Sequence, residues 1–218
     1  MCGRFVINMP SDLMAQLFDA VPSNDLPAVP NFNVCPTTQV HVVSAGEGGR
    51  KLGAMRWGFI PRWYKKPNDG PLLINARAET IAEKPAFKSA CRERRCIVPI
   101  SGFYEWIRDG DVRLPWYVQR TDGQPMAMAG IWQNWGEDGM STCAVVTTQA
   151  HGKMSEIHHR IPVILEQQDW GKWLGEEGKG AALLMQETAD ENLLFHRVDT
   201  EVNSNRAQGP HLIEPIAA

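Results

Sequence analysis

The sequence lacks most of what would mark a secreted, metal-loaded or membrane-spanning protein. None of its 218 residues falls in an apolar run approaching the roughly 20 residues of a membrane helix. Its start, Met1-Cys2-Gly3-Arg4-Phe5, has no basic segment followed by an apolar one, so no secretory signal is read there. A cytoplasmic protein is the expectation. Five cysteines (Cys2, Cys35, Cys91, Cys96 and Cys143) are an odd number without a CxxC pair, which argues against both a disulfide framework and a structural zinc site. Cys35, Cys91, Cys96 and Cys143 read as small packing residues. There is no internal repeat, no low-complexity segment and no large charge excess. A formal net charge of -3 with 43% hydrophobic residues suits one domain over residues 1–218 with an ample core. No ligand cluster calls for a metal, and nothing calls for an organic cofactor.

The charge is small in sum but uneven along the chain. Arg50, Lys51, Arg56, Arg62, Lys65 and Lys66 follow one another without an acid, and Lys88, Arg92, Arg94 and Arg95 are interrupted only by Glu93. Acids gather later, at Glu166, Asp169, Glu176, Glu177, Glu187, Asp190 and Glu191. Either one face is basic enough for nucleic acid or these are ordinary solvated faces; charge alone leaves both open.

A short helix is predicted from Ser11, which can cap it, with Leu13, Met14, Leu17 and Phe18 as its apolar stripe. Residues 39–44 and 52–59 read as strands, residues 65–71 as a loop, and residues 76–90 as a helix kinked or split at Pro85. Four further strands are predicted over 103–107, 115–120, 126–132 and 142–148. Asp109-Gly110, Asp122-Gly123 and Asp138-Gly139 separate them, and Asp-Gly between apolar runs favours a hairpin. Residues 167–174 and 181–187 read as helices. The expected class is α+β: one domain of antiparallel, barrel-like meander sheets with flanking helices.

Cys2 offers chemistry that the other cysteines do not. Once Met1 is removed, its α-amine, with a pKa of roughly 7.7–8.0, and its thiol, at about 8.5, stand on one carbon framework. An aldehyde forms an imine with the amine, and the thiol closes onto that carbon as a five-membered ring. The second step is intramolecular and therefore strongly favoured. With Met1 in place the nitrogen is an amide and the route is blocked. The plain alternative is an unremarkable terminal residue.

Other segments bear on that choice. They are Phe32-Asn33-Val34-Cys35-Pro36-Thr37, Trp57-Gly58-Phe59-Ile60-Pro61-Arg62-Trp63 and Ile74-Asn75-Ala76-Arg77-Ala78-Glu79-Thr80. Further on come Arg95 to Trp106, Ala129-Gly130-Ile131-Trp132, Val146-Thr147-Thr148 and Ile157-His158-His159-Arg160-Ile161-Pro162. Together with the start of the chain, and in this order, they resemble the SOS response-associated peptidase (SRAP) family. Ile161 departs from the methionine common in that family, and Cys35 from its alanine.

The resemblance implies a monomeric sensor of abasic sites in single-stranded DNA, at strand junctions or elsewhere, that forms a stable thiazolidine through Cys2. It also implies possible autoproteolytic exposure of Cys2. Asn75 would orient the Cys2 amine or the sugar oxygen, and Glu105, among aromatic neighbours, would move protons. His158 would protonate the ring oxygen as the sugar opens. Arg4, Arg77 and Arg160 would hold phosphates, while Asn33, Pro36, Trp63 and Tyr64 would line the DNA groove. The main rival is an N-terminal-nucleophile amidohydrolase or amidotransferase, since Cys2-Gly3 opens such enzymes too. A DNA-binding scaffold with an inert Cys2 is the other.

Overall fold

The computed structural model describes residues 2–23, 25–186 and 189–216. Strand β1 (Phe5–Ile7) leads into helix α1 (Ser11–Leu17), then β2 (Ala20–Pro22) and β3 (Asn31–Val34). A long hairpin follows, β4 (Gln39–Gly46) with β5 (Gly49–Trp57), and after a loop come the short β6 (Asn75–Arg77) and α2 (Lys88–Glu93). The middle is β7 (Arg95–Ile100), β8 (Gly102–Asp109), β9 (Val112–Arg120), β10 (Met126–Trp135) and β11 (Met140–Gln149). The chain continues through α3 (Gly152–Ile157), β12 (Arg160–Pro162), β13 (Ile164–Leu165), α4 (Trp170–Leu174) and β14 (Leu193–Arg197).

Two sheets organise these strands, in the expected α+β class. One has the order β14-β9-β8-β1-β3 and is antiparallel throughout. The other closes on itself: β7, β4, β5, β11 and β10 pair in a ring, with the parallel contact of Arg56 and Trp57 with Thr142 and Cys143 as the seam. Closure removes the exposed edges that an open sheet of these strands would present. Buried Phe5 of the first sheet meets buried Trp57 of the ring at 4.4 Å between centroids, so one continuous core joins the two sheets. Strand β5 stops at Trp57, short of the predicted 59. Gly58 turns there with φ +141°, and a Cβ on it would lie 2.6 Å from the Arg56 guanidinium.

The predicted helix at Ser11 is present, although Pro10 holds the N-cap position and the Ser11 hydroxyl faces His41 Nε2 at 3.0 Å instead. Asp109-Gly110 and Asp138-Gly139 do turn hairpins, β8–β9 and β10–β11. Asp122-Gly123 does not: it carries the chain from one sheet to the other. The helix expected over 76–90 is reduced to α2. Residues Asn75–Arg77 are pulled into a parallel pairing with β11, and turns fill the stretch up to α2, where Pro85 has no N–H to give. Residues 167–174 split into a 3₁₀ turn and α4, and residues 181–187 yield only the 3₁₀ turn Ala181–Leu184, with Glu187 outside the described residues.

Candidate active site

The site lies where the two sheets meet at the start of the chain. Phe5 pairs with Phe103, and Tyr104 N donates to Arg4 O at 2.9 Å, so the residues ahead of β1 run along β8. Cys2 is fully buried among the described surroundings. Burial pushes its thiol well above the usual range, and the neighbouring Glu105 carboxylate adds to that. Glu105, on β8, is 2% exposed, and burial raises its carboxyl above the ordinary carboxylate range. From the other sheet, Asn75 at the head of β6 donates through Nδ2 to Cys2 O at 2.9 Å. Its Oδ1 is buried and accepts no hydrogen bond among the described residues. An amide with one end fixed on Cys2 and the other open is placed to take a donor from the Cys2 amine or from a bound hydroxyl.

His158 follows α3, which packs against β8. Its Nδ1 accepts from Arg160 N at 3.0 Å, so the proton of the neutral ring sits on Nε2. Burial lowers its pKa to about 4, with the stacked His159 ring 4.4 Å away contributing. At neutral pH His158 is therefore a neutral Nε2–H donor rather than an imidazolium.

The three candidate phosphate-binding arginines differ. Arg160 is 7% exposed, and its fork grips Glu79 at 2.7 and 2.9 Å and Thr147 O at 2.6 Å. Arg77 is exposed, and its side chain makes no hydrogen bond or ion pair among the described residues. It lines a groove of about 590 Å³ together with Trp63, Leu72, Asn75, Lys84 and Pro85. Trp63 is 59% exposed at the groove, while Tyr64 is half-buried with its carbonyl held by Trp135 Nε1 at 3.0 Å. The groove thus brings three of the sequence-predicted residues together, Trp63, Asn75 and Arg77.

Arg4 and Asn33 form a separate, structural knot. Arg4 Nη1 donates to Asn33 Oδ1 at 2.6 Å and to Val202 O at 3.1 Å, and Nη2 donates to Asn205 Oδ1 at 2.6 Å. Asn33 Nδ2 donates to Ser204 O and Ala207 O. The knot fastens the chain's last segment across β1 and β3 and sets the turn that carries half-buried Pro36. Arg4→Met keeps the apolar stem but strands these acceptors, at a cost of about 1–3 kcal/mol. Urea unfolding will show that loss; an unchanged midpoint would mean the knot is idle.

Several participants escaped the sequence reading. Glu79 stood inside a quoted motif, but nothing marked it as the partner of Arg160. Asn205 and Val202 meet Arg4 across almost the whole chain. Leu72, Lys84 and Pro85 also line the groove. Among the described residues, no group of three His, Cys, Asp or Glu side chains is placed to hold a metal ion.

The family model described as SOS response associated peptidase matches residues 1–205. The chain is 33% identical to a Bacillus subtilis protein named abasic site processing protein YoqW, over 98% of this chain and 99% of that one. It is 32% identical to the Escherichia coli abasic site processing protein YedK, over 99% and 100%. A crystal structure of a Bacteroides thetaiotaomicron protein superposes with a TM-score of 0.85 at 23% identity, covering 99% of this chain and 100% of that one, which establishes the shared fold. The chain is a member of the SRAP family.

Proposed function

We propose that this protein captures abasic sites in single-stranded DNA, with Cys2, freed of Met1, as the nucleophile. The observation that carries this is the Asn75 side chain, fixed by Nδ2 on Cys2 and open at a buried Oδ1, beside the buried Glu105 carboxyl. Relatives named for abasic site processing supply the substrate class.

The closed sugar of an abasic site must first open. The C1′–ring oxygen bond breaks as the proton of the C1′ hydroxyl is relayed to the ring oxygen, which His158 Nε2–H steadies by a hydrogen bond, and the aldehyde is exposed at C1′. The Cys2 amine adds to that carbon, water leaves, and an imine remains. The thiol then adds to the imine carbon while its proton passes to the ring nitrogen, Glu105 relaying protons between these steps. The net change is aldehyde, amine and thiol to thiazolidine plus one water. Arg77 and Trp63 hold the strand in the groove, one by charge and the other by stacking. Tyr64, Pro36, Arg4 and Asn33 stand outside the lining of this groove, and no contact with the strand is assigned to them. Arg160, committed to Glu79, orders the turn that presents His158.

The test mixes protein of verified intact mass, lacking Met1, with single-stranded DNA carrying one abasic site. Duplex DNA with the same lesion and undamaged single strand run alongside. A heat-stable band specific to the first substrate, with a mass equal to the two components less one water, is expected. No band with Met1 gone would overturn the proposal and bring amide hydrolysis forward.

A further inference from the structure

Beyond the groove, a row of cations stands on the surface around α2. Lys88 N donates to Lys84 O at 2.9 Å and Cys91 N to Phe87 O at 2.8 Å, so the turn before α2 already has helical bonding. Lys84, Lys88 and Arg92 therefore recur at i, i+4 and i+8 on one face. All three are exposed, and none of their side chains has a hydrogen-bond or ion-pair partner among the described residues. The nearby acids are mostly committed elsewhere. Glu93 bonds Arg94 and Ser89, and Glu79 holds Arg160, which leaves Glu83 beside the row and Glu177 near the second pocket without an ion-pair partner among the described residues. Like charges at this spacing repel and weaken a helix, so the row does not serve local stability.

The row also joins two hollows. Lys84 lines the groove already described, while Arg92 lines a second pocket of about 320 Å³ whose walls include Arg95, Lys179 and Trp173. The Arg95 guanidinium is held by the carbonyls of Trp173, Cys91 and Arg92 rather than by an acid, and Lys179 has no partner among the described residues. Cations thus outnumber acids from one hollow to the other, and none of these five is held in an ion pair among the described residues.

We infer that this row is a phosphate track, which takes the backbone of the strand running on from the groove over Lys84, Lys88 and Arg92 into the Arg95–Lys179 pocket. Single charges one helical turn apart, about 5.4 Å, suit a flexible polyanion with one charge per nucleotide. The placement of the strand's other end in the groove rests on the proposed function; the track itself does not.

The test uses the full protein and the double variant Lys88→Gln/Arg92→Gln, which alters exposed side chains outside the groove. Binding of undamaged single-stranded DNA of about 20 nucleotides, longer than a typical single-strand site, is followed by fluorescence anisotropy across a salt series. The variant should bind roughly tenfold more weakly at low salt, and its slope of log affinity against log salt should be shallower by about 1.4. Capture of a trinucleotide with a central abasic site, too short to reach the track, should match wild type. Equal affinity and slope for the long strand would overturn the track, as would equal losses on both substrates, which would signal damage to the fold. Inorganic phosphate protecting the wild type, but not the variant, from thermal unfolding while strand affinity stays unchanged would also overturn it, by making the pocket a free-anion site. Failure of wild type to capture the trinucleotide would instead count against the proposed function and leave the anisotropy result standing.

Discussion

Processed Cys2→Ala protein should form no heat-stable adduct with abasic single-stranded DNA, yet borohydride should still trap it on the lesion. Alanine at position 2 keeps a free α-amine, held by the same backbone carbonyl that Asn75 Nδ2 grips, so imine formation survives. What disappears is the second nucleophile. Intramolecular closure is worth an effective molarity on the order of 10⁵–10⁸ M, and without it the imine hydrolyses on heating. Burial pushes the Cys2 thiol well up, so little thiolate exists in the resting site and the thiol must hand its proton on as it attacks. Noncovalent affinity for the strand should be unchanged, because the thiol is buried and touches no phosphate. A heat-stable adduct in Cys2→Ala would assign the bond to another residue. Loss of borohydride trapping as well would show that the amine is not the first nucleophile.

How much of this was readable beforehand depended on the range of the interaction. The long strands β8 to β11 and two of their hairpins announce themselves through alternation and Asp-Gly turns. Asp122-Gly123 carries the same dipeptide and the same positive φ at glycine, +69°, yet its flanking strands belong to different sheets. Turn chemistry reports that the chain can reverse there, not which partner each strand takes. Strands of three or four residues, such as β1, β3, β6 and β12, carry too little periodicity to be read, and β6 sits in a stretch whose composition favours helix. Its strand geometry comes from β11. That misreading matters for the site, because only the extended backbone at 75–77 aims Asn75 at Cys2 and Arg77 into the groove. The motifs singled out residues without saying which serve structure: the engagement of Arg4 by Asn205 and of Arg160 by Glu79 joins positions 201 and 81 residues apart.

Glu105→Gln should lower the rate of adduct formation by about 10²–10⁴ while making the protein more stable near neutral pH. Both effects have one cause, a carboxyl buried on β8 beside Cys2. Burial raises its folded-state pKa above the unfolded value of about 4.3, so the native state binds the proton more tightly than the unfolded chain does. The stability it contributes is therefore present below about pH 4.3 and is lost as pH rises through the folded pKa. Glutamine keeps the shape and never ionises, so unfolding midpoints of variant and wild type should be close at pH 4 and separate in the variant's favour toward pH 7. The same substitution removes the group proposed to pass protons among amine, departing water and thiol, so the rate should fall while strand affinity holds. Stability given up at a buried carboxyl in exchange for proton transfer is the signature of a catalytic rather than a packing residue. A variant that reacts at the wild-type rate would move the proton relay elsewhere. One that is less stable at pH 7 would make Glu105 a structural anion held by a partner.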